Sequence, residues 1–249
     1  MDTDHALAAE PEMKDIGLLL QSLGFRERPV RLQESAEQSD YQAVLANQGG
    51  MAYVYLADRS TCRNPGQKCN WVQSPRFNED VMPVVRAFYQ VNQGGEGFPQ
   101  LKGSLDLVLA RKPVPIAQDA HEYEVYDGHK LIPIRRYLAQ HPRPDLVQLD
   151  RRIRWLSSGP YGHRAGDVLL LAKSGSGRPI GDRYYFSTPY FSQHGSASAE
   201  DSHIIFMVAR QNFSGDALRK TVDRIISDRP SHLDVAPLIR ALLGNPATP

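Results

Sequence analysis

At 249 residues the chain is long enough for one large domain or two small ones, and its 41% hydrophobic and 23% charged residues are ordinary for a globular protein. Lysine and arginine (29) balance aspartate and glutamate (28), so the chain lacks the basic excess of a nucleic-acid surface. No apolar run approaches the roughly 20 residues of a transmembrane helix, and the N-terminus has neither the charged start nor the apolar core of a signal peptide.

Ile16, Leu19, Leu20 and Leu23 recur at helical spacing, and Gly24 supplies a C-terminal stop. Residues 27–47 are polar and read as loop. Met51 to Ala57 is short, apolar and aromatic, which predicts a buried strand. The polar stretch 58–78 carries Cys62, Cys69, Pro65, Gly66 and Pro75 and reads as a long loop. Its two cysteines are either unrelated thiols or a disulfide closing a short surface loop. Turn chemistry between them favours the disulfide, which belongs to an oxidising compartment such as a bacterial periplasm.

Val81, Val84, Val85, Phe88 and Val91 predict a helix that begins near Asp80, and Leu105 to Ala110 predicts a strand. Residues 122–134 alternate around Asp127-Gly128, the pattern of a tight hairpin. Leu146, Leu149, Ile153 and Leu156 mark another helix, broken by Gly159-Pro160. Val168 to Ala172 and Ile204 to Ala209 read as buried strands. Leu218, Val222, Ile225 and Ile226 predict a helix, and Val235, Leu238, Ile239 and Leu242 place a last one before Gly244. Uninterrupted apolar strands separated by helices predict an α/β fold with a mixed, mostly parallel sheet flanked by helices. Ligands of such sheets gather beyond the C-terminal strand ends.

Two chemical elements stand out. Thr3-Asp4-His5-Ala6 sets a carboxylate beside an imidazole near the start, and Gln193-His194-Gly195-Ser196 sets a histidine on a glycine-containing loop ahead of an apolar run. Together with Gly49 to Ala57, Ser104 to Arg111 and His232 to Gly244, in this order, they resemble the alkaline phosphatase superfamily, in its type I phosphodiesterase and nucleotide pyrophosphatase branch. The resemblance covers most of the chain and the C-terminal part of the family's catalytic domain. It implies an incomplete alkaline phosphatase-like domain over 1–249, with a cap-like or loop-rich insertion around 58–145. It implies two zinc ions, one bound by Asp4 and His5 and the other by His194. Asp201, seven residues beyond His194, is the candidate outer carboxylate that would orient the His194 loop. The substrate class would be phosphate mono- or diesters carried on small molecules.

Ala6 stands where the family has glycine, and the family's Thr or Ser nucleophile and first metal-binding aspartate precede the Asp-His element. A chain starting at Met1 has no room for them, which predicts little esterase activity for these 249 residues alone, with a periplasmic or secreted complete parent. The competing expectation is a non-catalytic remnant or binding module with a vestigial metal site. His121, His129, His141, His163 and His203 lie in polar, turn or strand-opening positions and are not expected ligands. The glycine-rich stretch 173–179 lacks the Gly-Lys-Ser/Thr ending of a phosphate loop, and Gly195-Ser196 does not match a nucleophile elbow.

Overall fold

The computed structural model describes residues 5–6, 13–28, 40–112, 122–174, 184–186, 196–203, 205–226 and 230–244. The chain divides into two compact units, Met1–His203 and Ile204–Pro249. In chain order the first contains β1 (His5–Ala6), α1 (Met13–Ser22), β2 (Ala43–Gln48), β3 (Met51–Leu56), α2 (Met82–Gly94), β4 (Leu105–Arg111), β5 (Tyr123–Tyr126), β6 (Leu131–Pro133), α3 (Ile134–Gln140), α4 (Leu149–Leu156), β7 (Val168–Ala172), β8 (Tyr184–Tyr185) and α5 (Ala199–Ser202).

Six strands form one sheet in the order β2-β3-β7-β4-β5-β6, and every neighbouring pair is antiparallel. This corrects the expected mixed, mostly parallel sheet. The only parallel pairing among named strands is the separate two-residue pair β1–β8. The apolar runs that suggested parallel strands have another cause. All five residues of β7 are buried. Val168, Leu170 and Ala172 enter one core layer with α1 and α2, whereas Leu169 and Leu171 enter a second with α3 and α4. Both faces of the sheet are covered, so its central strand has no face left for polar residues. That condition is usual for parallel sheets but does not require one.

The helices lie where their periodicity points them. Ile16, Leu19 and Leu20 of α1, and Val84, Val85 and Phe88 of α2, are buried against the same sheet face. A single π turn, Phe77–Val81, leads into α2, and Gly95 ends the helix with φ +76°. Glycine is the natural residue there, because the left-handed region costs a Cβ-bearing residue energy. Asp127 caps the β5–β6 hairpin: its Oδ1 accepts from the N–H groups of His129 (2.8 Å) and Lys130 (2.7 Å). Residues 82–140, inside the segment expected to be an insertion, supply α2, β4, β5, β6 and α3 to the sheet and its two layers. β2 lies where a loop is expected: at the sheet edge Val44 to Asn47 are only half-buried, which leaves a weak apolar pattern.

The second unit holds α6 (Gly215–Ile225) and α7 (Val235–Leu243). Ser214 caps the first by accepting from the N–H of Ala217, and a Ser231/Asp234 capping box precedes the second. Residues 205–209 of the expected buried strand Ile204 to Ala209 form no regular element, and Ile205 (86%) and Met207 (87%) are exposed. The apolar run is there, but no described strand pairs with it.

Candidate functional site

The turn between β2 and β3 holds both described flanks of the segment 187–195, which contains His194. It consists of Gly49, with φ +64°, and Gly50. The carbonyl of Gly49 accepts from the N–H of Phe186 (2.6 Å), and that of Gly50 accepts from Ala172 (3.0 Å). A Cβ on Gly50 would overlap the backbone and side chain of Ser196, so only glycine admits this approach. Phe186 and Ser196 are the residues on either side of the segment 187–195, which contains His194. Both flanks of that segment are therefore held at consecutive glycines.

The flank that follows His194 is sewn down further. Ser196 and Ser198 are buried and hydrogen-bonded to each other (2.8 Å). Ala197 accepts from the N–H of Val147, and the N–H of Ala199 donates to Asp145. On the preceding side, β8 pairs in parallel with β1, with His5 opposite Tyr184 and Ala6 opposite Tyr185. The strand that holds His5 is thus paired with β8, which precedes the segment 187–195 in sequence. Asp4 and His194 themselves lie outside the described residues; His5 is described as a strand position of β1 and Asp201 as a position of α5.

Two buried ionic networks were not anticipated. In the first, Asp58 and Asp80 are 1% and 0% exposed. Asp80 accepts from Arg59 Nε (3.0 Å), from Arg76 Nε and Nη2 (2.9 Å each) and from the Arg76 N–H (3.0 Å). Burial works against ionisation of Asp80, but the hydrogen bonds from Arg76 and Arg59 outweigh it and hold the carboxyl below its ordinary range. Arg59 also donates to the carbonyl of Leu23 and stacks on Phe25, so it ties the end of α1 to the start of α2. Two buried aspartates suggest a metal site by composition. Here arginines and a glutamine occupy their oxygens: Gln73 donates to Asp58 (2.6 Å), and Arg76 lies 3.1 Å from it.

The second network closes the other end of the sheet. Asp167 Oδ2 accepts from the N–H of Leu56 (2.8 Å), and its Oδ1 from Arg111 Nη2 (3.1 Å). The carbonyl of Gly166 accepts from Tyr123 Oη (2.6 Å) and Arg111 Nε (3.2 Å). Asp167 thus ties β7 to β3 and β4. Burial pushes its carboxyl up to about 6 in spite of the Leu56 N–H and Arg111. Burial also pushes Tyr53 up to about 12, aided by Tyr55 beside it. A carboxylic acid shifted this far is a candidate for proton chemistry, but it stands in a packed interior whose polar atoms serve one another. The sequence signal was the Gly166-Asp167 pair at the head of an apolar run.

Cys62 and Cys69 form a disulfide, with Cα atoms 4.7 Å apart. The carbonyl of Cys62 accepts from Gln42 Nε2 and Arg26 Nη2 (2.9 Å each), and the N–H of Gly66 donates to Asp40 (2.9 Å). The cross-linked loop is thereby fastened to the chain on the N-terminal side of β2.

Among the described residues no group of three or more histidine, cysteine, aspartate or glutamate side chains is arranged to hold a metal. As a donor set, Asp4, His5 and His194 supply one carboxylate and two imidazoles, the ligand types that zinc prefers. No described helix is long and apolar enough to cross a membrane. Compared with protein-family models, with curated proteins and with solved structures, the chain matches none.

Proposed function

We propose that this chain carries a divalent-metal site for phosphate-ester chemistry, with Asp4, His5 and His194 as ligands and Asp201 as an outer carboxylate. One observation carries the reading. The strand that holds His5 pairs with β8, and the segment containing His194 is flanked by residues held at Gly49 and Gly50. Strands β1 and β8, about 180 residues apart in sequence, are thus paired, and β8 lies nine residues before His194 along the chain, which supports the reading of a composite metal site. A bound zinc-like ion would polarise a phosphoryl oxygen. The chain's part is to bind the ion, to orient the imidazoles and to fix the loop that presents His194. The substrate class is a phosphate mono- or diester on a small molecule.

Metal titration tests the proposal. The purified chain, stripped and titrated with zinc against a chromophoric chelator, is expected to bind zinc stoichiometrically. His194→Ala and Asp4→Ala should each lose at least the 10–100-fold in affinity that follows removal of an outer partner. Equal zinc binding by wild type and both variants, or no binding by wild type, overturns the site. Turnover of nitrophenyl phosphate and phosphodiester is the second readout. Zinc bound without turnover selects a second reading, a non-catalytic remnant or binding module with a vestigial metal site.

A further inference from the structure

Residues 134–164 contain seven arginines against two aspartates, a surplus of five positive charges in a chain whose total is +1. Several of these arginines are committed. Arg143 is bound by Asp106 and Asp145, and Arg152 donates to Ser202 Oγ (2.8 Å). Arg135 and Arg154 reach Asp150 and Glu122 at 3.5 and 3.8 Å. Arg151 and Arg164 pair with no carboxylate among the described residues. Each lies on an aromatic ring instead: Arg151 is 4.3 Å from the ring centre of Trp155, and Arg164 is 5.0 Å from that of Tyr161.

The fold brings the loop that carries Tyr161 and Arg164 back to the C-terminal end of α4. Arg151 and Trp155 are four residues apart on α4, so they share a face. After Ser157 the chain turns at Gly159, whose φ is +76°, and the N–H of Gly162 donates back to the Gly159 carbonyl (3.0 Å). A Cβ on Gly162 would overlap the carbonyl of Ser157. The loop therefore returns against the end of α4 and holds Tyr161 beside it. Trp155 is 38% exposed and Tyr161 67% exposed, so both rings present apolar surface to solvent.

We propose that this arginine–aromatic end of α4 docks on an anionic phospholipid surface. The charge is complementary to lipid phosphate, and a guanidinium binds phosphate through a planar fork of donors. Stacking on a ring holds that fork in place before contact. Tryptophan and tyrosine are the residues whose half-apolar rings settle at headgroup depth. The nearby carboxylates, Asp150 and Glu122, are already engaged by Arg135 and Arg154 and do not oppose the approach. The exposed tryptophan and tyrosine favour a lipid interface over nucleic acid as the source of that phosphate.

Trp155 reports the contact directly, because the chain has two tryptophans and Trp71→Phe leaves it alone. The full chain carrying Trp71→Phe is mixed at low salt with vesicles of 30% phosphatidylglycerol in phosphatidylcholine, and with vesicles of phosphatidylcholine alone. Binding to the anionic vesicles is expected, with a blue shift of Trp155 emission and weakening as salt rises. Arg151→Gln with Arg164→Gln should weaken partitioning about 25-fold, fivefold for each charge. Tyr161→Ser, which keeps every charge, should reduce the binding less. Unfolding melts check that each variant is folded, and Arg164→Glu replaces the double variant if that one is not. Equal binding to both vesicle types, no binding at low salt, or undiminished binding by the folded charge variant overturns the proposal. So does tighter binding to a DNA duplex than to the anionic vesicles, which would assign the face to nucleic acid.

Discussion

Asp167 and Asp80 show how two buried carboxylates can take opposite roles. Asp80 has two arginines and a backbone N–H, and its pKa is held down; Asp167 has one arginine and one N–H, and burial lifts it to about 6. The consequences for stability have opposite signs. A depressed carboxyl stabilises the fold at neutral pH and loses that contribution as pH falls through its folded pKa. A raised carboxyl costs stability fully above about pH 6, and the cost is relieved as pH falls from 6 toward the ordinary carboxyl value near 4. The full difference for Asp167 is about 3 kcal/mol at most, from two pKa units. Denaturant midpoints measured from pH 7 to pH 4.5 should therefore favour wild type over Asp167→Asn progressively as the pH drops. A pH-independent difference between the two proteins would show that Asp167 does not titrate in this window. Sequence alone made Asp167 one acidic residue among 28; its partners Leu56 and Arg111 lie 111 and 56 residues away.

At the level of elements, the cross-linked loop is the part most nearly readable from local chemistry. Cys62 and Cys69 are seven residues apart with proline and glycine between them, and the loop they close is fastened to Arg26, Asp40 and Gln42. Closing a loop of this size stabilises by about 2–3 kcal/mol in the chain-entropy model. Reduction, or the double change Cys62→Ala with Cys69→Ala, should lower the unfolding free energy by that amount. Alkylation of unreduced protein followed by intact mass measurement should find no free thiol. Two alkylated thiols in protein made under oxidising conditions would contradict the bond. The helices were legible for a similar reason. The positions of Ile16, Leu19 and Leu20, or of Val84, Val85 and Phe88, report which face of a helix is buried within a window of a few residues. β2 and α3 escaped notice because each shows little apolar pattern of its own: β2 is half-buried along most of its length, and α3 fully buries only Ile134.

For the larger unit as a whole, the defining feature is a sheet covered on both faces. Leu169 and Leu170 are adjacent in β7, both 0% exposed, and belong to opposite core layers. Leu169→Ala and Leu170→Ala should each cost about 2–5 kcal/mol, the usual range for truncating a fully buried leucine. Measured unfolding free energies that differ widely, with Leu169→Ala within about 0.5 kcal/mol of wild type as at an open surface, would mean that the α3–α4 layer does not seal its face.

Within a short window the sequence determined where the chain is buried and with what period. Most of the helices, the strands β3, β4 and β7 and the Asp127-Gly128 hairpin follow from that. It also displayed the Asp4-His5 and His194-Gly195 elements as chemistry in search of a site. Strand direction was decided only by tertiary structure. A run such as Val168 to Ala172 records that both faces are covered, and it reads the same whether its neighbours run with it or against it. β3 and β4, which flank it from more than 50 residues upstream, settle that through long-range backbone hydrogen bonds. The convergence at Gly49-Gly50 has the same origin. The glycine pair is visible in the sequence, but Phe186 and Ser196 reach it only because β8, the end of β7 and the β2–β3 turn meet in space.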